Sequence, residues 1–263
     1  MGLNKMVFWN DSRSLFKKTG HLKDSSLARR NTRYLRKRFK RVSVLLKKEY
    51  KNPRHGNVSE PFGEIMYILL SSQTNEKNFS RTWKALKNKY PKWQEIESAR
   101  LSEISSTISS GGLANIKARC IKDIAAKISR DFGSTKKLSF LRHQSNMEIE
   151  NYLTGLNGIK IKSARCVMMY SFNRKVFPVD TNIFRIFKRM GVLPKKTKER
   201  SIRVHNLLQN MVSPEERYNL HVNLVAHGRA ICKPQNPLCE ECVIRDFCDK
   251  WPRNILNRFP ASF

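Results

Sequence analysis

Apolar residues return every three or four positions along most of this chain, the spacing that gathers them on one face of a helix. Phe39, Val42, Leu45 and Leu46 make the first such stripe, which stops near Asn52-Pro53. Pro61 to Leu70 is an apolar run rich in Ile, Met and Leu, too long and too poor in β-branched residues for a strand. Phe79, Trp83, Leu86 and Tyr90 repeat the helical spacing until Pro91 closes it. Ile116, Ile121, Ile124, Ala125 and Ile128 resume it after the Gly111-Gly112 break. A helix follows from Ser145 to Leu153, and a short turn leads into another that runs to about Phe172. Ser213-Pro214-Glu215-Glu216 reads as a helix start, with Ser at the cap, Pro in the first turn and acids at the positive end of the dipole. No stretch alternates apolar and polar residues between hairpin turns. The pattern predicts an all-α protein, preceded by a polar, aperiodic arm over residues 1–28.

Composition narrows the setting. The 263 residues suffice for one large domain or two small ones, and 40% hydrophobic with 28% charged residues is a soluble balance. No apolar run reaches the roughly 18 residues that span a bilayer, and Met1 to Phe16 is broken by Asn4, Lys5, Asn10, Asp11 and Arg13. The expectation is an intracellular protein without a membrane partner, in the cytoplasm or nucleoid of a prokaryote or the nucleus of a eukaryote. Charge changes the picture more. Fifty-two basic against 21 acidic residues give +31, and a polyanion that releases counterions on binding is the expected partner. Residues 1–55 alone hold 17 basic and 3 acidic side chains. The run Arg29 to Arg41 fits a nuclear signal, a DNA-gripping helix or a solvated basic face equally well.

Four cysteines, Cys232, Cys239, Cys242 and Cys248, follow a C-x6-C-x2-C-x5-C spacing with Pro234 and Pro237 between them. In an intracellular protein so short a loop argues for a metal site over disulfides. Zinc and an iron–sulfur cluster both accept four thiolates. With a single C-x2-C knuckle, the uneven spacing favours the larger cluster. Cys120 and Cys166 fall in predicted helices and are read as small core residues.

The cysteine loop is similar to that of the endonuclease III family of DNA glycosylases, which end in this pattern round a 4Fe–4S cluster; the resemblance covers roughly residues 40–250. Leu156-Asn157-Gly158-Ile159-Lys160-Ile161-Lys162 resembles the family's helix-hairpin-helix, usually Leu-Pro-Gly-Val-Gly-x-Lys. Leu156, Gly158 and Lys162 are kept, whereas Asn157 replaces the proline and Lys160 the second glycine. Backbone N–H groups at such a hairpin bind phosphate without reading sequence, and Lys160 is expected to add a contact. Phe177-Pro178-Val179-Asp180-Thr181-Asn182 follows, with Asp180 placed 18 residues after Lys162. The resemblance makes Lys162 and Asp180 the catalytic pair. A carboxylate stabilises positive charge on the sugar as the N-glycosidic bond breaks, and a lysine amine attacks C1′ to give a Schiff base whose β-elimination nicks the strand. That attack needs a neutral amine, and positive surroundings with partial burial are expected to lower the pKa of Lys162.

The same resemblance implies two helical subdomains with a DNA cleft between them: a six-helix barrel-like domain over 60–175, with the hairpin at about 145–173, and a cluster domain over 176–263. Residues 29–59 are expected to pack with the latter. Gln73 and Leu113, the second in Gly111-Gly112-Leu113-Ala114-Asn115, match the residues that fill the gap left by a flipped base, and Asn115 and Lys233 are further expected DNA contacts. His227 reads as a packed histidine near the cluster. The implied function is a bifunctional glycosylase and AP lyase, working as a monomer on duplex DNA with a modified or mismatched base. Oxidised or ring-saturated pyrimidines rank first. Second come 5-methylcytosine or mismatched thymine, because Asn182, Lys162-Ser163 and Arg189-Met190-Gly191 are similar to DEMETER-type 5-methylcytosine glycosylases. Adenine-removing relatives carry a glutamate near the position of Leu69, which this chain lacks there. A non-catalytic iron–sulfur DNA-binding module is the reading from another class.

Overall fold

A computed structural model describes residues 25–193, 197 and 201–249, with side chains from Tyr34 onward. Most of the expected arm and the end of the expected cluster domain therefore lie outside the described residues. Among these residues every regular element is helical. Helix α1 spans Ser25–Tyr50, so its first turn takes in four residues expected to belong to the arm. Nothing in Ser25-Ser26-Leu27-Ala28 is a helix breaker, and the basic segment simply extends backwards.

Next come α2 (Pro61–Ser71), α3 (Glu76–Lys89), the short α4 (Glu95–Ser98) and α5 (Leu101–Thr107), and the long α6 (Ala114–Phe132). They are followed by α7 (Asn146–Thr154), α8 (Ile161–Tyr170), α9 (Thr181–Arg189), α10 (Ile202–Met211) and α11 (Arg217–Ala230). Side chains set several starts. Asn75 accepts the Asn78 N–H at 2.8 Å to open α3, and Ser145 with Glu148 forms a reciprocal capping box on α7. Such caps contribute about 1 kcal/mol each.

Two apolar cores result. One gathers Phe62, Ile65, Leu86, Ile121, Ile128, Leu153 and Val167 from α2, α3, α6, α7 and α8. Beside it Tyr67 meets Phe79 edge-on at 4.8 Å and Trp83 at 5.3 Å. The second gathers Phe39, Val42 and Leu46 of α1 with Phe177, Ile183, Phe187, Leu208, Leu220 and Leu224. The chain passes from one core to the other between Val176 and Phe177. Helix α1 thus returns to pack on α11 and α10, far along the sequence. Arg165 of α8 joins the halves: almost fully buried, it pairs with Glu150 of α7 at 2.7 Å and donates to the Asn206 side chain of α10. Removing one partner of such a buried pair costs about 3–5 kcal/mol, because the other charge is stranded.

Candidate active site and cysteine loop

The turn between α7 and α8 is tight. Leu156 is buried, and its carbonyl accepts the Ile159 N–H at 3.1 Å. Gly158 takes φ +81°, a left-handed value that strains other residues, and a Cβ there would stand 3.2 Å from Cys120 Sγ. Lys160, by contrast, has φ −103° and ψ 172°. That is extended backbone, so the second glycine of the usual motif is not needed here. Asn157 donates its amide to Asp123 at 2.7 Å and ties the turn to α6. No side chain caps α8, so its first-turn N–H groups stand available to an anion.

Lys162 lies in that first turn and lines a cleft of about 470 Å³ with Asp180, Cys166, Tyr170, His221, His55 and Asn57. Asp180 opens α9: Oδ1 accepts the Ile183 N–H at 2.8 Å and Oδ2 accepts the Asn182 amide at 2.9 Å. Asn182 is held in turn by Arg185 at 2.8 Å, and Arg185 also donates to the carbonyls of Gly228 and Cys232 at 2.8 Å each. A chain of hydrogen bonds therefore runs from the carboxylate to the cysteine loop.

The protonation of Lys162 departs from expectation. The Cys166 thiol one turn away, then the Asp180 and Glu64 carboxylates, raise its pKa above the ordinary lysine value against the opposing effect of burial. Burial pushes Cys166 itself up to about 11, so at neutral pH its thiol is uncharged, and Asp180 with the ionised fraction of Glu64 holds the ammonium. Of the basic residues that suggested a lowered pKa, Arg229 alone lines the cleft with Lys162 among the described residues. Glu64 is fully buried and pushed up to about 7, chiefly by desolvation. His221, also buried, is pulled down to about 4 by desolvation. Its Nδ1 faces the Pro178 carbonyl at 2.9 Å and so carries the proton, leaving Nε2 an acceptor.

Sequence reasoning missed Glu64, Asn57, His55, Tyr170, His221 and Arg229, which are brought together from the loop before α2, from α2 itself, from α8 and from α11. It also read Cys166 as core alone. At 3% exposed it is core, but it lines the cleft as well.

Gln73 and Leu113 sit on two loops, both with left-handed backbone at φ 51° and 53°. Gln73 is exposed, and Leu113 is 49% exposed. Lys117 is buried and donates to Leu70 O at 3.1 Å and Gly111 O at 3.2 Å, so one cation ties both loops together. Asn115 is exposed and its Oδ1 accepts from Ser105 at 2.5 Å. Lys233 is exposed at the rim of the cysteine loop.

Cys232, Cys239, Cys242 and Cys248 line one hollow with Arg189, Ile231, Pro237, Leu238 and Arg245. The donors round it suit thiolates. Arg189 Nη1 stands 3.1 Å from Cys232 Sγ, and His227, buried as expected, places Nε2 3.3 Å from Cys242 Sγ. Among the described residues no three His, Cys, Asp or Glu side chains converge closely enough to hold a single ion. Four sulfurs spread round a hollow fit a cluster better than one zinc. The thiols of all four cysteines round one hollow fit the ligand set of a 4Fe–4S cluster.

Residues 66–212 match the family model of the HhH-GPD superfamily base excision DNA repair proteins, and residues 232–248 match the iron-sulfur binding domain of endonuclease III. The chain is 32% identical over 206 residues to an endonuclease III of Sulfolobus acidocaldarius, covering 77% of this chain and 87% of that one. It is also 32% identical over 171 residues to the transcriptional activator DEMETER of Arabidopsis thaliana, covering 59% of this chain but only 9% of DEMETER. A solved non-covalent endonuclease III–DNA complex shares the fold, with a TM-score of 0.70 at 23% identity over 81% of this chain and 95% of that one. With the hairpin, the cleft and the cysteine loop in this order, the chain belongs to the HhH-GPD superfamily of base excision DNA repair proteins.

Proposed function

We propose that this chain, a DNA glycosylase with AP lyase activity and a 4Fe–4S cluster, removes oxidised or ring-saturated pyrimidines from duplex DNA. The observation that carries this reading is that Lys162 and Asp180 line one cleft, from the hairpin helix and from the start of α9. The α8 N-terminus, Lys160 and Lys233 hold phosphates, while Leu113 and Gln73 fill the space left by the flipped nucleotide. Lys162 rests as an ammonium and passes a proton to Asp180. Its lone pair then forms a bond to C1′ as the N-glycosidic bond breaks; the base leaves with the electron pair of the broken bond and takes up the proton that Asp180 received. Opening of the sugar ring gives a protonated Schiff base, and loss of the C2′ proton expels the 3′ phosphate and nicks the strand. The cluster, when bound, supplies a centre round which the cysteine loop folds.

The enzyme works as a monomer, with one hairpin and one cysteine loop per chain, in the compartment that holds the chromosome. Asn182 and the similarity to DEMETER favour 5-methylcytosine or mismatched thymine as a second reading. The non-catalytic reading is not favoured, since Lys162 and Asp180 share the cleft. Borohydride trapping across duplexes that carry saturated pyrimidines, 5-methylcytosine, mismatched thymine and oxidised purines tests the proposal. The expected result is a covalent complex with saturated pyrimidines. No trapped species with any pyrimidine removes the lyase reading, and preferential trapping with 5-methylcytosine selects the second substrate.

A further inference from the structure

The segment before α2 is built more firmly than a connecting loop needs to be. The Asn52 N–H donates to Asn223 Oδ1 at 3.1 Å, and His55 Nε2 faces Val222 O at 2.8 Å. Tyr67 donates its hydroxyl to His55 O at 2.7 Å. Gly56 packs so closely below, at φ +78°, that a Cβ would stand 2.8 Å from Tyr67 Oη. Ser171 closes the far end on Val58 O at 3.1 Å. Helices α2 and α11 and the end of α8 thus fix this loop against the cleft, where it presents Asn57 beside Lys162 and Asp180.

Asn57 is fixed in orientation as well as in place. Its Nδ2 donates to Glu64 Oε1 at 2.5 Å, and the Val58 N–H occupies Glu64 Oε2 at 2.7 Å. Two donors converging on a carboxylate keep the amide from turning over, because the reverse orientation sets two oxygens against each other. No donor among the described residues reaches Asn57 Oδ1. Burying a carboxylate completely is costly, and here its oxygens are spent on this loop. In its ionised form this buried, acceptor-only group therefore holds a second acceptor at the edge of the cleft.

We propose that Asn57 is the base-reading residue of this enzyme, its Oδ1 accepting an N–H on the pairing edge of the flipped pyrimidine, with Glu64 as the positioning residue that fixes the amide. The inference rests on the glycosylase reading above. The N–H belongs to N3 in thymine- and uracil-derived lesions and to the N4 amine in cytosine-derived ones. A site whose acceptor is left unpaired discriminates strongly against an analogue lacking the donor.

Single-turnover excision tests this with four duplexes: dihydrothymine and its N3-methyl analogue, 5-hydroxycytosine and its N4,N4-dimethyl analogue. Nicking of a preformed abasic site is measured alongside, since no base is present there to read. The wild-type chain is expected to cut the donor-blocked analogue of its preferred lesion about tenfold more slowly or worse. Which of the two pairs shows the difference assigns the donor as N3–H or N4 amine. Asn57→Ala should erase that discrimination and slow excision by a clearly larger factor than abasic nicking. Glu64→Gln, close in shape and free of the buried charge, should erode the discrimination while remaining folded by thermal melt. Full discrimination in Asn57→Ala, or equal loss of excision and abasic nicking, overturns the inference. Wild-type nicking of abasic DNA without discrimination overturns it while leaving the lyase reading intact; no wild-type activity on any duplex overturns both.

Discussion

Lys162 rests in its charged form, so the proposed reaction starts from an ammonium that must lose a proton before it can attack. The trapping rate with borohydride is therefore expected to climb as pH rises from about 6 to about 9, since the reactive amine is the minor form throughout. A rate that stays flat or falls over this range would show that Lys162 is already neutral. Lys162→Ala is expected to abolish trapping and nicking while duplex affinity is largely kept; a matching loss of affinity would assign the lysine a structural part. The fold brings Lys162 and Asp180 to one cleft, and that they fall in one register was legible in the sequence. The charge state of Lys162 was not. The carboxylate of Glu64 reaches it from α2, and the bulk excess of Lys and Arg says nothing about which charges share one cleft.

At the scale of elements, apolar periodicity located most of the helices because each must bury one stripe. What it left out were the two loops that carry Gln73 and Leu113. Both adopt left-handed backbone at non-glycine residues, which costs about 1–3 kcal/mol each unless the surroundings enforce it. Lys117 is part of that enforcement, bridging carbonyls at the end of α2 and before α6. Lys117→Met fills the same space without the donor. It is expected to slow excision of a lesion about tenfold, and more than it slows nicking of a preformed abasic site, because only the first requires a paired base to be flipped and replaced. The melting temperature should fall as well, since the Leu70 and Gly111 carbonyls lose their donor at about 1–3 kcal/mol, so the comparison of the two reactions carries the test. Equal effects on the two reactions would mean that Lys117 does not act through the loops. The hairpin teaches a related point. Lys160 looked like a defect in the motif, yet its backbone is extended and has no use for glycine.

Across the whole molecule, the carboxylate of the cleft and the cysteine loop are tied together within the second half. The chain of hydrogen bonds from Asp180 through Asn182 and Arg185 ends on Cys232. The protein is expected to be brown with about four irons per chain. Oxidative loss of the cluster should expose the cysteine loop to protease and lower excision, whereas a loop that stays protected would separate the cluster from the site. Acid stability follows from the buried titrating groups. His205 and His221 are both pulled down to about 4, so their stabilising effect is complete above the ordinary histidine value of 6.5 and is lost as pH falls towards 4. Glu64, pushed up to about 7 from 4.5, acts the other way: its contribution is present in acid and lost as pH rises through 7. Two groups outweigh one, so the melting temperature should drop on the order of 5 °C or more from pH 7 to about pH 5. A melting temperature that rises over this interval would show that Glu64 dominates. The sequence by itself determined the helical class, the DNA-binding charge, the cysteine spacing and the register of Lys162 with Asp180, because periodicity, net charge and short-range spacing are local properties of the chain. Only the tertiary structure decided that the lysine faces acids, that one buried lysine ties two loops, and that Asn57 is locked toward the cleft. Each of these depends on side chains that meet only after distant helices pack, where burial and mutual distance set their charge and orientation.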